Sequence, residues 1–566
     1  MAKNKGRSED SDDFLDDEDE EDSERKQEIL KIYVGLMTAG NFFPGRVDLK
    51  EKGVSRDQLR HHFGNLSGIR LAAKEKHPEV FKGSIDLNEY LSPANLAAMN
   101  KRIKKHKRFV VTTAVVGQKI HDNFLKSIDV FCDKNDAKLL ILPAHDPAHN
   151  LDNEIEWFFD PKLVEDGHDF VFEETPLNSN YFISGIRVTA KQINPITGLN
   201  EISQTKGSFV SASPKQFLEY DSVSANKLPH ARMTTGACTL PNYSSSRGNS
   251  QRTAYLAEHQ HTIGALVIEI QDNNIYFFTQ IQSDEKGNFC HYGYEYSPTK
   301  QRKLVGNEAP VFVMGDYHAG EHDETAVSAW INVINTLGIQ ELVFHDMFNA
   351  VSVNHHEEKD MMLRAERARK GLHILENELN ITAREFDRML SLKSVKKGVV
   401  VKSNHDDMID RWLRPMKFAK DPVNLEFGTI LAADIITASK KGIKKDFFKT
   451  GLEHAGEPKH MSKIVWLASD EDYVVGGVHL GAHGDKSSNG SKGSIKGLAR
   501  SYPKCVIGHS HTPGIFKGAF QVGTTSLLRL GYNKGPSSWV HCSCLVYRNG
   551  QRQLINSING AWKLAG

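Results

Sequence analysis

The chain has 566 residues, 39% of them hydrophobic and 25% charged, a balance that excludes a disordered or fibrous protein and asks for several domains rather than one core. No apolar run approaches the roughly 18 residues that a membrane span needs, and the N-terminus lacks signal-peptide character, so a cytoplasmic setting without a membrane partner is expected. The formal net charge of zero hides an asymmetry: residues 9–24 hold twelve acids and no base, which leaves 59 acids against 71 bases elsewhere.

Residues 1–25, dominated by that acidic run, read as a disordered tail, because they carry too little apolar surface to order themselves. Two roles are open to it: a solubiliser, or a polyanion that competes with nucleic acid for a basic surface. Residues 26–108 read as helices. Within them "VSRDQLRHHFGN", capped by Ser55, and "SGIRLAAKEKHPE", capped by Ser67, form a helix-turn-helix-like pair whose second helix would present Arg70, Lys74 and Lys76. A plain helical bundle with a solvated basic face is the alternative. "KRIKKHKRF", residues 101–109, is a basic linker suited to phosphates.

From Phe109 the apolar period shortens. "FVVTTAVV", "KIHDNFLKSIDVFCDKN" and "KLLILPA" read as strand, helix and strand, the first unit of a middle α/β domain over residues 109–305. "GALVIEI" and "NIYFFTQI" are later strands, and "TTGACTLPNYSSSRGNSQR" reads as a long loop. The cysteines Cys132, Cys238, Cys290, Cys505, Cys542 and Cys544 are scattered without a C-x-x-C pair and are expected to be thiols.

A second α/β domain occupies residues 306–566. Each of its apolar strands empties into metal-capable residues: Asp316 and His318, then Asp346, then Asn404, His405 and Asp406, then His479 and His483, then His509 and His511. Ligands of open α/β sheets collect beyond the carboxyl ends of strands. Imidazoles and carboxylates suit Mn, Mg, Fe, Zn or Co, and a shared carboxylate such as Asp346 can bridge two ions roughly 3.5–4 Å apart that clamp a phosphate. His483, which precedes a glycine beyond its strand, is preferred to His479 as a ligand.

The ordered motifs "GDYH", "HD", "SNHD", "HGD" and "GHSH" resemble the five motifs of the calcineurin-like metallophosphoesterase superfamily over about residues 309–540. Ser403 and His345 stand where that family has glycine. The resemblance implies an α/β, layered fold: a two-sheet sandwich flanked by helices, here preceded by the middle α/β domain and the helical domain. It implies two divalent cations, Mn(2+) first among the candidates, one held by Asp316, His318 and His511, the other by Asn404, His483 and His509, with Asp346 bridging. It makes His405 the general acid, with Asp346 and His405 at the centre of the chemistry.

Near the motifs, His355 and His356 are candidate substrate contacts or a helix-start pair. Lys486, Lys492, Lys496 and Arg500 make a basic segment that can follow a nucleic-acid backbone or simply face water. The added helical and middle domains favour a polymer substrate. The expected function is a DNA nuclease, similar in overall plan to the pre-early nucleases with which T5-like bacteriophages degrade host DNA. The alternatives are a phosphatase or phosphodiesterase on nucleotides or phosphoproteins, and a DNA-binding regulator that keeps the fold as scaffold. A homo-oligomer is compatible with the sequence.

One internal likeness stands apart. Residues 115–147 and 313–348 both run strand, glycine, polar turn, helix, strand and His-Asp. This pairs Gly117 with Gly315, Gln118 with Asp316, and Asp146 with Asp346, and suggests a degenerate copy of the catalytic domain that holds DNA without chemistry. The competing view is that any two β-α-β units look alike.

Overall fold

The structure is a computed structural model that describes residues 13–42, 44–145, 157–186, 188–224, 227–243, 248–531 and 533–565. Six helices precede the first strand: α1 (Asp13–Thr38), α2 (Arg46–Glu51), α3 (Arg56–Phe63), α4 (Leu66–Lys76), α5 (Leu87–Tyr90) and α6 (Pro93–Ile103). Helix α1 takes up residues 13–25 of the segment expected to be disordered. Its C-terminal half buries Ile29, Leu30, Tyr33 and Met37 on one stripe. A helix nucleated by that packing propagates cheaply towards its N-terminus, where the helix dipole favours acidic residues.

Helices α3 and α4 form the expected pair. Ser55 caps α3 through a reciprocal exchange with Gln58, whose amide nitrogen donates to Ser55 Oγ at 3.1 Å. The cap of α4 is Asn65 rather than Ser67, and accepts from the Gly68 amide at 2.9 Å. Arg70 is not presented to solvent. It is buried, donates to the Phe42 carbonyl at 3.1 Å and lies over the rings of Phe81 and Phe158. The reason is helical phase: Ile69, Arg70 and Ala73 share the buried face of α4, which leaves Lys74 and Lys76 outside. Lys101, Lys104, Lys105 and Lys107 of the basic linker are exposed.

The first α/β half contributes β1 (Arg108–Val115), β2 (Ala137–Ala144), β3 (Asp169–Phe170), β4 (Thr175–Pro176), β5 (Tyr181–Ile183), β6 (Ser208–Ser211), β7 (Leu218–Asp221), β8 (His230–Thr234), β9 (Gly264–Ile270) and β10 (Tyr276–Gln282). The connection read as one long loop ends in a helix, Gly248–His259. A small antiparallel sheet follows, of β11 (Phe289–His291), β12 (Tyr294–Tyr296) and β13 (Gln301–Lys303). The second half contributes β14 (Val311–Val313), β15 (Glu341–Phe344), β16 (Lys397–Val400), β17 (Ile464–Trp466), β18 (Val474–Val475), β19 (Val478–His479), β20 (Cys505–Ile507), β21 (Gly514–Phe516), β22 (Ala519–Gln521), β23 (Cys542–Val546) and β24 (Arg552–Asn556).

The two halves repeat one strand order. The first has β10-β9-β1-β2-β3; the second has β24-β23-β14-β15-β16, extended by β17. In both, the first two strands are parallel and the last two return antiparallel. The remaining strands join in one ten-stranded sheet, β18-β19-β20-β22-β21-β7-β8-β6-β5-β4, which reads alike from its centre outwards in either direction. Parallel and antiparallel neighbours also correspond pair by pair.

The inner faces of these sheets share one apolar core, in which Val111, Leu140 and Met233 of the first half join Val313, Val343 and Phe520 of the second. Helices pack on the outer faces. The division at residue 305 therefore separates two repeats along the chain without separating their cores. Among the described residues no helix is long and apolar enough to cross a membrane, and all six cysteines are free thiols.

Candidate metal centre

Parallel strands point their carboxyl ends the same way, and that brings distant motifs together. Asp316 and His318 follow β14, Asp346 follows β15, and Asn404 and His405 follow β16. In the opposing sheet His483 follows β19, while His509 and His511 follow β20. These side chains meet between the two sheets.

His318 Nε2 lies 3.0 Å from His511 Nε2, and His511 Nε2 lies 3.1 Å from an Asp316 carboxylate oxygen. His483 Nε2 is 3.2 Å from Asp346 and 3.1 Å from Asn404 Oδ1, which in turn is 3.0 Å from His509 Nδ1. Asp316, His318, Asp346 and His511 can each direct one ligand atom to a common cation, and Asp316, His345 and His483 form a second such group.

The donor set fits a divalent cation on physical grounds. Both Asp316 oxygens and Asp346 Oδ1 are buried and make no hydrogen bond within the protein. Buried polar atoms are costly to leave unsatisfied, and each costs about 1–3 kcal/mol. Two imidazole nitrogens 3.0 Å apart can share a proton or a cation, but cannot both remain lone pairs. Carboxylate, amide oxygen and imidazole are hard-to-borderline ligands, as Mn, Mg, Fe, Zn or Co require.

The backbone supports the same reading. His318, Asp346, His509 and His511 have φ of 52°, 43°, 75° and 59°, a left-handed region that non-glycine residues rarely occupy. Such conformations persist where surrounding structure over-determines them, and they gather at functional sites. Gly508 is required for space, since a Cβ there would sit 2.4 Å from an Asp316 oxygen.

Charge is balanced tightly. Burial alone would raise the Asp346 carboxyl, yet the His483, His405 and His318 rings hold it well below its usual range. Burial alone would lower His483, but the Asp346 and Asp316 carboxylates push it up to about 10. Burial, with help from His405 and His511, takes His318 down to about 3. His483 thus carries the proton that a bound cation would displace.

His405 stands at the rim. Its Nδ1 donates to the Asn349 carbonyl at 2.7 Å, which leaves Nε2 for the cleft it lines with Asn354, His356, Glu357, Met408 and Trp539. Asp406 turns away and accepts from the Ser403 amide at 3.1 Å.

His479 lies outside the cluster, paired with Asp472 and tilted against the Tyr502 ring, whereas His483 is inside it. Of the other candidates, His356 lines the cleft, and His355 lies tilted against its ring and approaches Arg411 at 3.2 Å. Lys486, Lys492, Lys496 and Arg500 do not line the cleft. Lys486 is paired with Asp407 at 3.0 Å, and Lys496 lies over the Phe516 ring.

Two contributors carried no assigned role in the sequence. His345 Nδ1 lies 3.2 Å from His483 Nδ1 and so orients that ring; its only signal was a histidine where the resembled family has glycine. Trp539 packs edge-on against His511 with ring centres 4.1 Å apart, and no motif surrounds it.

Among the described residues the first half has no corresponding centre. Thr113 bridges to Ala237 as Asp316 bridges to Thr524, and Ala237 bridges to Ile263 as Thr524 does to His541. Thr113 therefore occupies the place of Asp316, which corrects the pairing of Gln118 with Asp316. The Thr262 amide donates to the Pro214 carbonyl as the Val540 amide donates to that of His511, so Pro214 stands in place of His511. Flanking contacts agree: Lys215 N to Ser213 Oγ and Thr512 N to Ser510 Oγ are both 3.2 Å. Where the second half gathers ligands, the first closes a hydroxyl pair, Thr113 and Thr235, at 2.6 Å. Asp146 lies outside the described residues.

No protein-family model matches the chain, and no solved structure matches it. The chain is similar to Protein A1 of Escherichia phage T5. The two are 28% identical over 481 residues, spanning 81% of this chain and 83% of Protein A1. A match of that length exceeds the span of residues 306–566, so the likeness to Protein A1 takes in part of the preceding half.

Proposed function

We propose that the protein is a metal-dependent phosphodiester hydrolase of the calcineurin-like metallophosphoesterase type, acting on DNA as a phage-type nuclease in a host cytoplasm. The observation that carries this reading is the meeting of Asp316, His318, Asp346, Asn404, His483, His509 and His511 at one edge of the sandwich, with carboxylate oxygens and imidazole nitrogens within about 3 Å of each other. In this reading Asp316, His318 and His511 would hold one cation and Asn404, His483 and His509 a second, with Asp346 the carboxylate available to both. The bound cations supply Lewis-acid stabilisation of the phosphoryl oxygens and a water of lowered pKa.

The chain's own residues do the rest. The Asn349 carbonyl fixes the His405 ring through Nδ1–H, and Nε2 then delivers a proton to the departing alkoxide. The His345 ring keeps His483 turned towards Asn404 and Asp346. Trp539 closes one wall of the cleft and limits water beside His511.

DNA is favoured over a small ester by the base surplus outside the acidic segment, by the exposed Lys101, Lys104, Lys105 and Lys107, and by the similarity to a phage protein. The first half, with Thr113 and Pro214 at ligand positions, is read as a non-catalytic copy. The test is incubation of the purified protein with plasmid and with nitrophenyl phosphoesters, in Mn(2+), Mg(2+) or EDTA. Metal-dependent plasmid cleavage is expected. Turnover of small esters with intact plasmid would instead support a phosphatase, and DNA retention without turnover of either would support a scaffold.

A further inference from the structure

We propose a separate cation site at Asp22, His61 and His62, selective for zinc-like divalent transition ions. Asp22 lies on α1, and the two histidines lie in the last turn of α3. His61 Nε2 is 3.0 Å from an Asp22 carboxylate oxygen, and His62 Nδ1 is 3.7 Å from the same oxygen. Each residue offers one ligand atom, and the three atoms lie within 4.8 Å of one another.

Consecutive helix residues normally point about 100° apart. His61 and His62 nonetheless converge, because one uses its far nitrogen and the other its near nitrogen, with the rings edge-on and their centres 4.8 Å apart. An ordinary ion pair accounts for His61 and Asp22, whose side chains are 67% and 53% exposed. It does not account for His62, whose side chain is only 4% exposed and whose Nδ1 makes no hydrogen bond. A buried ring nitrogen left without a partner is costly, and a cation shared with Asp22 would satisfy it.

The surroundings agree. Glu21, Glu24 and Glu28 border the same depression, and the one base there, Arg25, is engaged by Glu28 and Gln58. Two imidazoles and one carboxylate make a three-ligand set with room for water, which suits Zn(2+), Co(2+) or Ni(2+) and disfavours Mg(2+) and Ca(2+). Such an ion would pin the acidic helix α1 to α3, the first helix of the helix-turn-helix-like pair. The site stands apart from the strand-end cluster and does not rest on the proposed function.

The test uses the full chain. Zn(2+) and Co(2+) bound per chain are measured by equilibrium dialysis, with Co(2+) absorption in the visible, for wild type, Asp22→Asn, His61→Ala and His62→Gln. Asp22 and His61 are exposed, so those two variants keep the fold whatever happens to His62→Gln. Loss of one bound ion in Asp22→Asn and in His61→Ala, with retention of that ion in Asp346→Asn, is the expected result. Unchanged stoichiometry in both exposed variants would mean an ion pair only and overturn the site.

Discussion

Leu218 and Ile515 pair across the centre of the ten-stranded sheet, and each holds the same place in its own half. Leu218 faces Met233 on the neighbouring strand β8, and Ile515 faces Phe520 on β22. Equivalent residues that pair antiparallel define a local two-fold axis. The chain thus resembles a dimer of sandwiches made from one polypeptide, with ligands kept on one side of the axis.

If only the second half binds the catalytic ions, damage to the first half's equivalent position should be structural. Thr113→Ala removes a hydroxyl that bonds Thr235 at 2.6 Å and accepts from the Ser213 amide at 2.9 Å. A loss of about 1–3 kcal/mol in denaturant unfolding is expected, with metal content unchanged by elemental analysis. A fall in bound metal would show that the first half takes part in the centre.

Asp346→Asn should empty the centre while the fold persists, because a neutral amide bridges two cations poorly. Elemental analysis reads the metal and circular dichroism the fold; full activity in the variant would refute the two-cation assignment. In the wild type, metal uptake should strengthen as pH rises, since His483, pushed up to about 10, must shed its proton to ligate.

His405→Ala should lower turnover on DNA by about 10²–10⁴-fold and leave metal content near wild type. A nitrophenyl ester, whose leaving group needs no proton, should lose far less. Equal losses on both substrates would contradict proton delivery from Nε2.

Asp169 anchors helix α6 to the first half's sheet through Arg102 and Lys138. Burial would raise its carboxyl, but those two cations hold it below the usual carboxylate value. A depressed folded-state pKa means stability that is present above the unfolded value of about 3.9 and lost as acid protonates the folded carboxylate. Asp169→Asn should cost about 1–3 kcal/mol at neutral pH, and its difference from wild type should vanish in strong acid. A pH-independent difference would show that packing alone is responsible.

The candidate ligands that the structure brings together, His345 apart, were legible in the sequence, because each sits within a few residues of its own strand end and that local spacing is written in the chain. Which strand ends meet was not legible. It depends on sheet order and register, which are non-local, and a period of two cannot rank one register against another between separate strands. Tertiary structure alone therefore put Thr113 rather than Gln118 at the place of Asp316 and set Ile515 against Leu218, while the preference for His483 over His479 was already in the sequence. It also turned Arg70 inwards and drew α1 through residues 13–25, since burial against a distant partner outweighs what charge and local composition favour.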